Sequence, residues 1–141
     1  MKIEFKNNVT SLKVSEKLLK ILDEAVQNSK IQLDEATDLI FSFKDNSYDP
    51  EAGGYHPVEI RIMKHTNLWH FDYITDFCFV GSGYCAELVK DVDFDFTNKV
   101  CYHLYVGAQP LIDIIDFYEL WESNFISYVE MGVFKVKISS T

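Results

Sequence analysis

Between residues 38 and 106 apolar side chains recur at every second position, and most of the gaps between the alternating stretches are too short for a helix to cross. The stretches DLIFSFK (38–44), VEIRIMK (58–64), LWHFDYITDFCFV (68–80), YCAELVK (84–90), DVDFDF (91–96) and KVCYHLYV (99–106) are rich in aromatic and β-branched residues and read as strands. Their joins include HTN, GSG and TN, which allow only tight reversals. Neighbouring strands must then run antiparallel, as a meander.

The period changes at both ends. In VSEKLLKILDEAVQNSK, Leu18, Leu19, Ile21, Leu22, Ala25 and Val26 fall on one side of a helix, with Ser15 as N-cap. A second helix is predicted over QPLIDIIDFYELWESNFISYVEMG, with Pro110 in its first turn and Gly132 as its stop. VFKVKIS closes the chain as a further strand, with Phe134, Val136 and Ile138 inward. The expected architecture is a single α+β domain over residues 1–141. In it a twisted antiparallel meander of about six to seven strands carries an N-terminal and a C-terminal helix on one face.

Strict alternation assigns the faces. Val58, Ile60 and Ile62 oppose Glu59 and Arg61, and Trp69, Phe71, Tyr73, Phe77 and Phe79 oppose His70, Asp72 and Asp76. Phe94 and Phe96 oppose Asp91, Asp93 and Asp95, while Val100, Tyr102, Leu104 and Val106 oppose Cys101 and His103. One face is dry and the other wet.

Composition narrows the partners. A formal charge of −9 and a pI near 4.8 disfavour nucleic acid and anionic membrane, which bind through clustered Lys and Arg, and favour basic proteins or peptides. Lys2, Glu4 and Lys6 interrupt MKIEFKNNVT, so it is not expected to be a secretory leader, and no apolar run suits a membrane helix. Three cysteines in a chain with ample core fit a reducing compartment, and the cytoplasm is expected.

The punctuated stretch PEAGGYHPVEIRI lacks what a phosphate loop needs, because Gly53 and Gly54 lead into a strand and Glu51 would repel an anion. It reads as a corner in which the glycines supply positive φ and Pro57 holds His56 extended. DVDFDF lacks the glycine and distal glutamate of a calcium loop, with Phe96 and Tyr102 in their places. Cys78, Cys85 and Cys101 have no zinc spacing, so no metal or cofactor is expected. Asp91, Asp93 and Asp95 read instead as a solvent-facing ladder for basic partners.

A weaker catalytic reading groups His70, Asp72 and His103 on the wet face, His70 acting as a base oriented by a carboxylate. The second helix supplies the other signal. Its apolar arc includes Trp121 and Phe125, and Ile112 and Leu120 stand beyond it, more than one sheet face covers. Self-association through Ile112, Leu120, Trp121 and Phe125 is the expected resolution.

GGYHPVEIRI followed by LWHFDYITDFCFV resembles an uncharacterised bacterial family of small acidic proteins, catalogued as a domain of unknown function and known from marine gammaproteobacteria and their genomic islands. That family is similar in fold to the mitochondrial matrix acidic protein, the complement globular-head binder. The resemblance implies a homo-oligomer, a trimeric ring among its forms, that binds partners rather than catalysing. The expected function is therefore a non-enzymatic, oligomeric, acidic binding module for basic proteins or peptides. The alternative is a small-molecule-binding or hydrolytic domain using a cavity between the curved sheet and the second helix.

Overall fold

The computed structural model describes residues 2–6 and 12–141; Met1 and residues 7–11, part of the stretch read above for a leader, lie outside them. Seven strands form one antiparallel sheet: β1 (Asp38–Lys44), β2 (Val58–His65), β3 (Leu68–Val80), β4 (Glu87–Asp95), β5 (Val100–His103), β6 (Gly107–Pro110) and β7 (Lys135–Ser139). Their order is β6-β5-β4-β3-β2-β1-β7, so the meander is simple until the last strand returns to pair with the first. Helices α1 (Glu16–Gln27) and α2 (Ile115–Glu130) pack on one face. The fold is the expected α+β arrangement.

Each helix forms for local reasons. Ser15 caps α1, its hydroxyl accepting from the Leu18 amide at 3.2 Å, and Leu18, Leu22 and Val26 enter the core. From α2, Tyr118, Phe125 and Ile126 are buried, with Phe125 edge-on to Phe43 and Tyr118 edge-on to Phe94. Buried Glu122 accepts from the Tyr118 hydroxyl at 2.7 Å and from the Ser15 amide at 3.1 Å, joining α2 to the start of α1. Near the amino terminus, Lys6 and Glu4 bond the backbone of Trp69, and Phe5 stacks on Phe71. No helix among the described residues is long and apolar enough to cross a membrane.

Several expectations need correction. The stretches 84–90 and 91–96 merge into one strand, β4, which starts only at Glu87 after a 3-10 turn at Gly83–Cys85, and the stretch 99–106 ends as a strand at His103. There the chain reverses through Tyr105 (φ 67°) and Gly107 (φ 102°), and Gly107–Pro110, of which Gln109 and Pro110 were expected to open the second helix, pairs with β5 as an edge strand. Pro110 is tolerated because an edge position needs no ladder donor.

Two slips of register change the faces. Arg61 pairs with Tyr73 and Ile62 with Phe71, leaving Asp72 as an extra residue. Asp76 pairs with Val92 and Phe77 with Lys90, leaving Asp91 extra on β4. A bulge inverts the alternation that follows it. Trp69 and Phe71 therefore face the helices as expected, but beyond the first slip Ile74 and Asp76 do so, while Tyr73 turns out to reach Glu59 and Phe77 lies opposite Lys90. On β5 the phase is also inverted: Cys101 is buried against Phe94, His103 stacks on Phe117, and Tyr102 is exposed.

The surplus apolar arc of α2 shrinks as well. Phe125 is 2% exposed within the monomer and Trp121 is half-buried, whereas Ile112 and Leu120 are 64% and 62% exposed. Phe125 is core, not an available interface residue.

Candidate functional site

The corner at residues 45–57 is built by carboxylates and glycines. Asp45 accepts from the Ser47 and Tyr55 amides at 2.9 and 3.0 Å, and Asp49 pairs with Gly53. Gly54 sits at φ 139° with its α-carbon so close to Tyr48 that a Cβ would lie 2.9 Å from Tyr48 Cα. This packing delivers Tyr55 against Tyr128 of α2 and His56 onto the helix side of the sheet. The stretch is the expected corner, and its histidine has partners.

Those partners exist because of the two slips: the first turns Asp76 inward and the second frees Asp91. Asp76 follows Ile74 inward, and Asp91, the extra residue of β4, turns toward the same side. His56 Nδ1 lies 2.8 Å from Asp76 Oδ1 and 3.7 Å from Asp91 Oδ2. The other oxygen of Asp76 accepts from the indole N–H of Trp121 at 2.8 Å. The donor atoms of His56, Asp76 and Asp91 all lie within 4.8 Å of one another. The hydrogen bond to Asp76 raises the pKa of His56; partial burial opposes it, and the charges of Asp76 and Asp91 reinforce it. Burial, with the charges of Asp91 and Asp76, pushes the nearby Cys78 thiol up.

The trio forms the floor of an open cleft of about 440 Å³ between the sheet and α2, walled by His103, Phe117, Trp121, Tyr128 and Phe134. That volume falls in the range of small-ligand sites. A hollow of about 560 Å³ beside Asp49, Glu51 and Tyr84 is lined by turn residues and lacks such a converging set.

The other candidates separate. His70 lies on the helix-free face, its pKa lowered by burial and then by His65, while His103 lines the cleft on the opposite face. Asp72 is engaged by Arg61 Nη1 at 2.6 Å and by the Thr97 hydroxyl, so it does not orient His70. The grouping of His70, Asp72 and His103 is thus corrected: the sheet stands between His103 and the other two. Of the acidic ladder, Asp93 and Asp95 do lie together on the helix-free face, but Asp91 leaves it for the cleft. Asp93 receives the Thr75 hydroxyl at 2.7 Å, and Asp95 receives the Asn98 amides. His56, Asp76 and Asp91, which the sequence did not group, are brought together by folding.

Strict alternation hid this site by assigning Asp76 and Asp91 to the wet face. Its legible trace was the His-Pro corner, which placed a histidine at a strand entrance.

The model of a family described as "Protein of unknown function (DUF2787)" matches residues 16–139. Among solved structures, the chain is similar to the hypothetical protein VC0508 from the Vibrio cholerae VSP-II pathogenicity island. The two are 35% identical, with 99% of this chain and 100% of that one covered and a TM-score of 0.89. It is also similar to the conserved hypothetical protein VC1805 from pathogenicity island VPI-2 of Vibrio cholerae, at 31% identity, coverage of 94% and 98%, and a TM-score of 0.80. VC1805 is described as sharing structural homology with the human P32 protein. Among curated proteins none matches.

Proposed function

We propose that this chain, which belongs to the DUF2787 family of proteins of unknown function, is a binding module whose cleft receives a basic group of a partner protein or peptide. The observation that carries the reading is the convergence of Asp76 and Asp91 on one aromatic-walled cleft. Two carboxylates beside one imidazole leave negative charge even when His56 is protonated. A lysine or arginine side chain can meet those carboxylates while its methylenes lie on Phe117 and Trp121. The charge of −9 adds long-range attraction for the same partners.

The reading moves the recognition site from an Asp91, Asp93 and Asp95 ladder to the cleft, where Asp91 keeps its role and the other two contribute to the general field. Placement in the cytoplasm belongs to the proposal, supported by the free state of Cys78, Cys85 and Cys101. So does self-association, for which the turn before α2 offers Ile112 and α2 offers Leu120.

Trp121 supplies the test, because Trp69 is buried and Trp121 lines the cleft. An arginine-rich peptide should change the tryptophan emission saturably in the native protein, and Trp121→Phe should abolish the change. Emission that ignores the peptide while the protein remains folded would contradict the reading.

A further inference from the structure

We propose that His56, Asp76 and Asp91 form a binding site for a divalent first-row transition-metal ion, with zinc the best fit. The three donors come from separate segments: the corner before β2, the middle of β3, and the extra residue of β4. They are not neighbours in sequence, and only the fold, with a break in its ladder at Asp91, brings them together.

Donor spacing is right for an ion. Ligand atoms about 2.0–2.1 Å from a tetrahedral zinc stand about 3.3 Å apart. The separations from His56 Nδ1, 2.8 Å to Asp76 Oδ1 and 3.7 Å to Asp91 Oδ2, straddle that figure, and all three donor atoms lie within 4.8 Å of one another. One imidazole nitrogen with two carboxylate oxygens is a mixed donor set that favours zinc and its first-row neighbours over calcium, which takes oxygen ligands alone.

The surroundings resemble those of a metal ligand shell. The Trp121 indole N–H holds Asp76 Oδ2, which fixes the carboxylate plane and leaves Oδ1 directed at His56. An outer hydrogen bond of this kind orients a ligand in metal sites. The cleft above the trio leaves room for a water or a ligand group at the remaining coordination position, as in sites with three protein ligands. The ion would take the place of the His56–Asp76 hydrogen bond and neutralise the charge of the two carboxylates.

One consequence rests on the reading of the cleft as a seat for basic groups: an ion there would exclude a lysine or arginine, so metal and partner would antagonise each other. The metal site itself does not depend on that reading.

Calorimetric titration of the full chain with zinc alone, after chelator treatment, tests the site. About one equivalent is expected to bind. Asp91→Asn and His56→Gln should each weaken binding at least tenfold, and Trp121→Phe about tenfold. Asp93→Asn, on the other face, should leave it unchanged. Melting without metal establishes that each variant is folded, and His56→Gln, in the exposed corner, serves if Asp91→Asn is not. Absence of zinc binding, or binding that survives both ligand substitutions, would overturn the site. Zinc binding that the variants lose supports it whether or not a basic peptide binds.

Discussion

The indole N–H of Trp121 donates to Oδ2 of Asp76 at 2.8 Å, fastening the middle of α2 to the centre of β3. Asp76 is an acid on the helix side of a sheet, and this bond together with His56 makes its burial tolerable. Trp121→Phe keeps an aromatic wall but leaves one carboxylate oxygen without its donor. It should lower stability by about 1–2 kcal/mol, read from urea unfolding. An unchanged midpoint would mean that water replaces the indole at no cost.

Gly54 controls where His56 lands. At φ 139° and with Tyr48 Cα 2.9 Å from a would-be Cβ, Gly54→Ala must displace the corner. Gly53, at φ 75°, has open space around it. Gly54→Ala should cost about 1–3 kcal/mol through strain and contact, and Gly53→Ala about 1 kcal/mol through its backbone angle alone. Melting temperatures of the two variants decide this; equal effects would show that the close approach to Tyr48 relaxes freely.

Much of the architecture was legible in the sequence because strand period and short joins leave few topologies. The elements Asp38–Lys44 and Leu68–Val80 have the boundaries that alternation predicts, and Ser15 caps α1 as its chemistry requires. The faces were less legible. Asp72 and Asp91 are extra residues in their ladders, and nothing local to HFDYI or VKDVD announces a slip that depends on the partner strand. VCYH carries apolar or aromatic residues on both faces, so its phase comes from pairing with β4. The candidate site sits where alternation fails, and so it was invisible to a reading based on period.

Acid should loosen the far edge of the sheet first. Asp38 is buried and accepts from the Thr141 hydroxyl at 2.6 Å, from the Thr141 amide at 3.0 Å and from Arg61. The Thr141 hydroxyl bond, chiefly, lowers its pKa against the opposing effect of burial, with the Thr141 amide and Arg61 assisting. A depressed carboxylate stabilises the fold above its ordinary value of about 3.9 and loses that contribution as pH falls through the folded value. Melting profiles should therefore show Asp38→Asn below the native protein at pH 7 and converging with it near pH 2. Parallel profiles across that range would contradict the assignment.

Assembly through this region must use the solvent side of α2 and of the turn at Leu111–Ile114 that leads into it. Ile112→Glu with Leu120→Glu alters only exposed positions, so the melting temperature should change little. The proposal expects the native protein to scatter light above 16.4 kDa and the double variant to return to that mass. A native monomer at high micromolar concentration would remove self-association from the account.

The most direct test compares two aspartates on the same strand. Asp91 turns into the cleft beside His56, and Asp93 lies on the helix-free face with Thr75, so Asn at either position removes the same charge from opposite sides of the sheet. Anisotropy titration of a labelled arginine-rich peptide at about 0.1 M salt, where the screening length is about 10 Å, separates contact from general attraction. Asp91→Asn should weaken binding about tenfold, and Asp93→Asn by no more than about twofold. Equal losses in the two variants would contradict the cleft as the recognition site.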